Sequence, residues 1–307
     1  MFEGCSKLTT INANIIRPGS FQGAMFARTF ARSGLTSVPN YLFETANKAP
    51  KRWLFKETFA GCSNLATIPN NLFSGMSGAL GTGTFDGTFM EDQCDGNGEN
   101  CQNSCGLRMN MSDLGSNFFG MGNGGHVSGT PKPYMFRNTF KGCEGLTGEI
   151  PDYLFFGISG NPIDTYNSGQ YTADCLSWED YVNNVSGHAL CFNESMFEGT
   201  FQRTGITGTV KALNFYNLYG TPTKSMFKNT FKDCTGLTYV SNSLFDSFNL
   251  VQDWSSGSAF EGTFDGCSNL SNDISSLQQR RTKAINLKSG WMCAATQISA
   301  VIRRIIR

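Results

Sequence analysis

The chain has 307 residues, 35 of them Gly and 26 Phe, and its 24 basic and 24 acidic residues cancel to a formal net charge of zero. A neutral chain exerts no overall pull on nucleic acid or on an anionic membrane, and no apolar run reaches the roughly 18 residues that a spanning helix needs. With charged residues at only 16% and Phe and Gly abundant, the composition suits sharply turning units that share one apolar core.

A phrase recurs along the chain and is fullest from Phe55 to Phe73: Phe-Lys-Glu-Thr-Phe-Ala-Gly-Cys-Ser-Asn-Leu-Ala-Thr-Ile-Pro-Asn-Asn-Leu-Phe. With the second Phe of Phe-x-x-Thr-Phe as marker, copies fall at Phe30, Phe59, Phe89, Phe140, Phe201, Phe231 and Phe264, and a shortened copy begins at Phe2. Most successive markers lie 28–30 residues apart, but Phe89 to Phe140 is 51 and Phe140 to Phe201 is 61, which predicts insertions near 90–103 and 161–194. Self-similarity at this period predicts a repeat solenoid over residues 1–274. Because Met1 falls inside a copy, the chain reads as an excerpt from a longer protein.

In chain order, short strands are expected at Leu8–Ile11, Leu35–Val38, Leu65–Ile68, Leu146–Ile150, Ile206–Val210, Leu237–Val240 and Leu270–Ile274. Pro39, Pro69 and Pro151 would end three of them by removing a backbone donor. The Leu-Phe pairs that follow (Leu42-Phe43, Leu72-Phe73, Leu154-Phe155, Leu244-Phe245) suit a short helical or irregular turn, and Gly75–Gly78, Gly122–Gly125 and Gly157–Gly160 suit connectors. Two Phe four residues apart, as in Met135–Phe140, predict one face of a helical turn buried under the next copy. The expected fold class is α/β, a leucine-rich-repeat-like solenoid with short parallel strands; the alternative is a right-handed parallel β-helix.

The phrases Thr58–Pro69 and Thr230–Val240 carry the residues of Ala-Phe-x-x-Cys-x-x-Leu-x-x-Ile, with Thr in place of Ala and, in the second, Val in place of Ile. In this they resemble the bacterial BspA-like, or treponemal-type, leucine-rich repeats. The units here are longer, and Leu-Phe plus a Gly loop stands where that family has a second Ile-Pro segment. The resemblance implies a surface-exposed or secreted interaction protein, often an adhesin, located outside the cell or on its surface.

Cys5, Cys62, Cys143, Cys234 and Cys267 each precede a repeat Leu by three residues, while Ser33, Thr204 and Cys105 hold a related slot. A position that accepts Cys, Ser or Thr wants a small buried side chain, so a ladder of free thiols is expected. Cys94/Cys101 and Cys175/Cys191 lie outside that ladder, each pair within one insertion, and could close loops in an exported protein. Asp95, Asn97 and Glu99 alternate as in a calcium loop but do not complete one, so a solvated acidic turn is the preferred reading. The second insertion carries Tyr171, Trp178 and Tyr181, aromatic residues suited either to contacting a ligand or to packing on neighbouring copies. From Ser275 onward there are seven basic residues and no acid, an atypical tail or cap over 275–307.

No catalytic, cofactor or metal motif emerges. The only histidines, His126 and His188, belong to no recognisable constellation. The outward strand positions are the better candidates: Thr36, Thr67, Glu149, Thr209 and Tyr239, joined by Tyr171, Trp178 and Tyr181 of the insertion. The expected function is non-enzymatic adhesion to a host, matrix or cell-surface protein or glycan, without cofactor, nucleic acid or transmembrane segment. The alternatives are a glycan-active or carbohydrate-binding β-solenoid and a structural spacer.

Overall fold

The structure is a computed structural model, and it describes residues 1–16, 21–43, 51–92, 104–120, 127–160, 178, 194–248 and 259–271. These residues form short parallel strands in small sheets, joined by long runs of turns, with almost no helix. The strands are β1 (Gly78–Ala79), β2 (Met109–Asn110), β3 (Val127–Ser128), β4 (Leu146–Gly148), β5 (Gly205–Ile206), β6 (Gly208–Val210) and β7 (Leu237–Val240). All pairing is parallel: β1 with β3, β2 with β4 and β4 with β5, and β6 with β7. Strands therefore form at three of the expected sites, as β4, as β5 with β6, and as β7. Leu35–Val38 and Leu65–Ile68 keep the same alternation, two exposed residues between buried ends, without regular pairing. The Gly-rich connectors also pair in parallel, through β1–β3 and single bridges from Gly129 to Ile158, Gly160 to Leu218 and Gly220 to Phe248.

The repeated Phe-x-x-Thr-Phe is not a helical turn. Its residues alternate between two kinds of hydrogen bond. Thr58 N–H donates to Phe55 O within its own copy (3.2 Å), whereas Phe55 and Phe59 donate to Thr84 O and Thr88 O of the next (2.9 and 2.8 Å). The same bond joins every successive pair of markers: Phe2 to Thr29, Phe30 to Thr58, Phe89 to Thr139, Phe140 to Thr200, Phe201 to Thr230 and Phe231 to Thr263, all at 2.8–3.0 Å. Thus copies 51 or 61 residues apart in sequence join as closely as those 29 apart. The turns require a left-handed residue every fourth position, for example Trp53 and Glu57 at φ 56° and 51°, then Gly61 at 66°. Side chains there are strained relative to Gly. Copies alternate accordingly: the Asn138 side-chain oxygen occupies the space a Cβ at Gly199 would need, and Asn229 does the same to Gly262.

The interior consists of three columns of Phe rings. One runs Phe2, Phe30, Phe59, Phe89, Phe140, Phe201, Phe231, Phe264, with centroids 5.2–5.9 Å apart and planes within 11°. A second runs from Phe26 through Phe55, Phe85, Phe136, Phe197 and Phe227 to Phe260, at 5.2–5.7 Å. The Leu-Phe residues Phe43, Phe73, Phe119, Phe155, Phe215 and Phe245 form the third and wedge edge-on between rings of the second. The Thr of the phrase closes the backbone behind the rings. Its hydroxyl donates to the carbonyl of the preceding copy's first Phe, as in Thr58 to Phe26, Thr88 to Phe55, Thr200 to Phe136 and Thr230 to Phe197 (2.8–3.0 Å).

Outside the rings, the residue after the first Phe alternates in sign from copy to copy: Lys56, Asp86, Arg137, Glu198, Lys228, Glu261. Asp86, only 2% exposed, lies 2.9 Å from Lys56 Nζ and accepts two bonds from Arg137, each 2.9 Å. Lys228 pairs with Glu261 at 3.4 Å. Burial opposes the charge on Asp86, but Arg137 and Lys56 overcome it and hold the carboxyl below its ordinary range. A depressed folded-state pKa gives stability that is complete above the unfolded value of about 3.9 and is lost as pH falls through the folded value. Asp86→Asn is accordingly expected to lower unfolding free energy at pH 7 by roughly 3 kcal/mol, because it removes the buried carboxylate shared by Lys56 and the half-buried Arg137, and to flatten the acid limb of stability against pH. Urea denaturation from pH 2 to pH 7 measures both effects.

Candidate functional site

The exposed strand positions follow from the buried–exposed–exposed–buried pattern that the apolar anchors impose. Thr36 stands directly after Leu35 and Thr67 two residues after Leu65; both are exposed, but in different rows. The Thr36 hydroxyl is turned back onto Thr9 O (3.2 Å) and Thr238 onto Gly208 O (3.3 Å), so these hydroxyls partly serve the backbone. A register shift at Gly208/Thr209 sets Thr209 opposite Tyr239, whose ring is 39% exposed. Glu149 is exposed and lies 3.2 Å from Lys211 Nζ, which also meets Asp152 at 3.1 Å.

Trp178 is half-buried. Its ring meets Trp53 edge-to-face at 5.9 Å and lies 5.4 Å from Lys56 Nζ. Its aromatic surface is thus engaged by packing on the copy marked by Phe59. Tyr171, Tyr181, the calcium-like acids, the cysteine pairs Cys94/Cys101 and Cys175/Cys191, both histidines and residues 275–307 lie outside the described residues.

A group of residues the sequence reading passed over stands beside Glu149. Tyr153 and Phe156 follow one strand, and Tyr216 holds the slot equivalent to Phe156 one copy later. Tyr216 is 61% exposed, its ring 6.4 Å from that of Tyr153 at 83°, and Tyr153 meets Phe156 at 5.5 Å and 89°. The signal is visible once copies are aligned on the third Phe column. The next position then reads Glu44, Ser74, Gly120, Phe156, Tyr216, Asp246, aromatic in two consecutive copies.

A second feature is a cavity of about 320 Å³ lined by Glu91, Glu144, Arg108, Arg203, Ser104 and Cys105. Arg203 grips both oxygens of Glu91 (3.1 and 3.0 Å) and reaches Glu144 at 3.4 Å. Burial pushes the Glu91 carboxyl up, with Arg203 opposing. Both Glu91 oxygens take a bond from one guanidinium, so Glu91 anchors Arg203. Among the described residues no cluster of His, Cys, Asp and Glu could hold a metal ion. Nor does any described helix have the length and apolarity to cross a membrane.

The expectation of an unbroken ladder of free thiols needs correction at this cavity: Cys105 and Cys143 form a disulfide, with Cα atoms 4.9 Å apart. The reason is local. Cys105 holds the displaced slot, whose side chain faces the Cys of the next copy as Ser33 faces Cys62 (3.5 Å) and Thr204 faces Cys234 (3.4 Å). Cys234 and Cys267, by contrast, both hold the regular slot of successive copies and stay unbridged. Cys62, Cys234 and Cys267 remain buried thiols and donate to Phe30, Phe201 and Phe231 carbonyls at 2.9–3.1 Å. Burial raises all three thiols, Cys234 to about 11.

No protein-family model matches the chain, and no curated protein or solved structure does.

Thiols protonated and shielded in this way should not alkylate. In native protein treated with iodoacetamide at pH 8, peptide-resolved mass spectrometry is expected to find Cys5 modified, Cys62, Cys234 and Cys267 unmodified, and Cys105 linked to Cys143.

Proposed function

We propose that the chain is a leucine-rich-repeat-like solenoid akin to the BspA-like surface proteins, and that it acts without catalysis as a binding or adhesion protein outside the cell. The observation that carries this reading is the exposed face. Successive copies, held in register by the Phe columns, present Thr36, Thr67, Glu149 and Tyr239 to solvent, with half-buried Thr209 opposite Tyr239 and exposed Tyr216 against half-buried Tyr153. Repetition of modest contacts along a rigid frame suits a large partner, because linked contacts add avidity. The Cys105–Cys143 bond supports an oxidising compartment.

A glycan-active enzyme is the second reading, since Glu91 and Glu144 share one cavity. The grip of Arg203 on Glu91 counts against it, because a general acid needs a proton and access to the leaving group.

The test is binding of immobilised chain to a defined panel of purified extracellular-matrix proteins and oligosaccharides. Saturable binding is expected, weakened by about tenfold in Glu149→Ala/Tyr239→Ala, since loss of an aromatic contact and a charge costs of order 1–2 kcal/mol. Absence of binding to every panel member by correctly folded protein would contradict the adhesion reading and favour a spacer.

A further inference from the structure

Within that binding reading, on which it rests, we infer that the corner formed by Tyr153, Phe156 and Tyr216 with Glu149, Asp152 and Lys211 is a platform for a neutral oligosaccharide. Three observations converge.

First, the rings are placed to receive a flat apolar surface. Tyr153 and Tyr216 meet edge-to-face at 83° with centroids 6.4 Å apart, and the Phe156–Tyr153 pair is likewise perpendicular at 89°. An edge-to-face pair leaves the faces of the edge-on ring uncovered by its partner, and Tyr216 keeps 61% of its surface in solvent. Tyr41, Tyr219 and Tyr239 are exposed as well; Tyr153 and Tyr216 differ in that two neighbouring copies bring their rings into contact with each other. Neighbouring parallel strands lie about 4.8 Å apart. Two copies therefore span a width comparable with one pyranose ring, whose axial C–H face stacks on aromatic carbon.

Second, the polar groups beside the rings suit hydroxyls rather than ions. Lys211 Nζ lies 3.2 Å from Glu149 and 3.1 Å from Asp152, with the three side chains 36–48% exposed. Lys211 is held protonated above its ordinary range by its bonds to Asp152 and Glu149. Lys211 offsets one of the two carboxylates and leaves a single net negative charge, so the group repels polyanions and offers a polycation no more than one charge. Glu149 and Lys211, 48% and 36% exposed, have carboxylate lone pairs and ammonium protons that match the donors and acceptors of vicinal hydroxyls, whereas Asp152 Oδ1 is buried.

Third, the frame is rigid where a ligand would press. Lys211 N–H is tied to Asn214 Oδ1 (2.9 Å), and the Asn214 amide to Pro151 O of the preceding copy (3.0 Å). The Asn217 amide reaches Phe156 O (2.6 Å). The two halves of the corner are thereby cross-linked before any ligand arrives, which lowers the ordering cost of binding.

The experiment is calorimetric titration of the full chain with cellohexaose, laminarihexaose, mannohexaose and chitohexaose, in parallel with the matrix-protein panel. Tyr216→Ala and Tyr216→Trp are compared with wild type and with Lys7→Ala at an exposed position outside the proposed binding face. At least one neutral oligosaccharide is expected to bind, with affinity falling about tenfold in Tyr216→Ala, persisting in Tyr216→Trp and unchanged in Lys7→Ala. Superimposable thermal melts for the four proteins exclude a folding defect, since Tyr216 is mostly exposed. Oligosaccharide binding unaffected by Tyr216→Ala would overturn this placement while leaving the binding reading intact. Binding to matrix protein alone would overturn the glycan class, and no binding in either arm would overturn both proposals.

Discussion

A phenylalanine carbonyl buried between two copies has to be satisfied, and the way this chain satisfies it constrains everything else. The carbonyl of Phe136 accepts one bond from the Thr139 backbone N–H in its own copy (3.2 Å) and another from the Thr200 hydroxyl in the next (2.8 Å). No water reaches a core of stacked rings, so an unmet carbonyl there would cost about 1–3 kcal/mol. Thr supplies the donor and also a methyl group that belongs in an apolar interior. Ser would lose that methyl, and Val would lose the bond. In the neighbouring slot the same service to the second Phe falls to Cys, as in Cys234 to Phe201.

The remaining features follow from making adjacent copies superimpose. Rings can stack at 5.2–5.9 Å only if the backbones beneath them run in register, which the alternating N–H pattern enforces. That pattern requires left-handed residues every fourth position, and their strain is tolerated because each carries a hydrogen bond to the next copy, as Glu57 does to Asp86 O. Alternating charge along Lys56, Asp86 and Arg137 adds a preference for one neighbour over another: a slipped copy would set like charge against like. The insertions leave this pattern intact because the bonds from Phe89 to Thr139 and from Phe140 to Thr200 match those between directly consecutive copies.

Much of this was legible from residue spacing. The period and the inward Leu-Phe pairs could be read from the recurring phrase. Backbone conformation could not. Phe55 and Phe59 lie four apart, which fits a helix, and left-handed turns are usually announced by Gly; here Trp53, Arg28 and Asn138 occupy such positions, so the sequence carries no warning. Cys143 looked like its fellow ladder residues because a disulfide depends on what the adjacent copy places opposite, and Cys105 sits in a slot displaced by one residue. The candidate site was half visible. Glu149 and Tyr239 are exposed as their spacing implies and Thr209 is half-buried, whereas Tyr153 and Tyr216 lie 63 residues apart and meet only because their copies are neighbours.

Placing recognition on a rigid repeated frame puts function in whatever each copy leaves outside, and that depends first on the copies being joined without regard to their distance in sequence. Amide hydrogen exchange tests this most directly. The account predicts that the amides of Phe89 and Phe140, whose partners are 50 and 60 residues away, are as strongly protected as those of Phe59 and Phe201, whose partners are 29 away. Rapid exchange at Phe89 and Phe140, with protection kept at Phe59 and Phe201, would show that the array breaks at its insertions and would contradict the account.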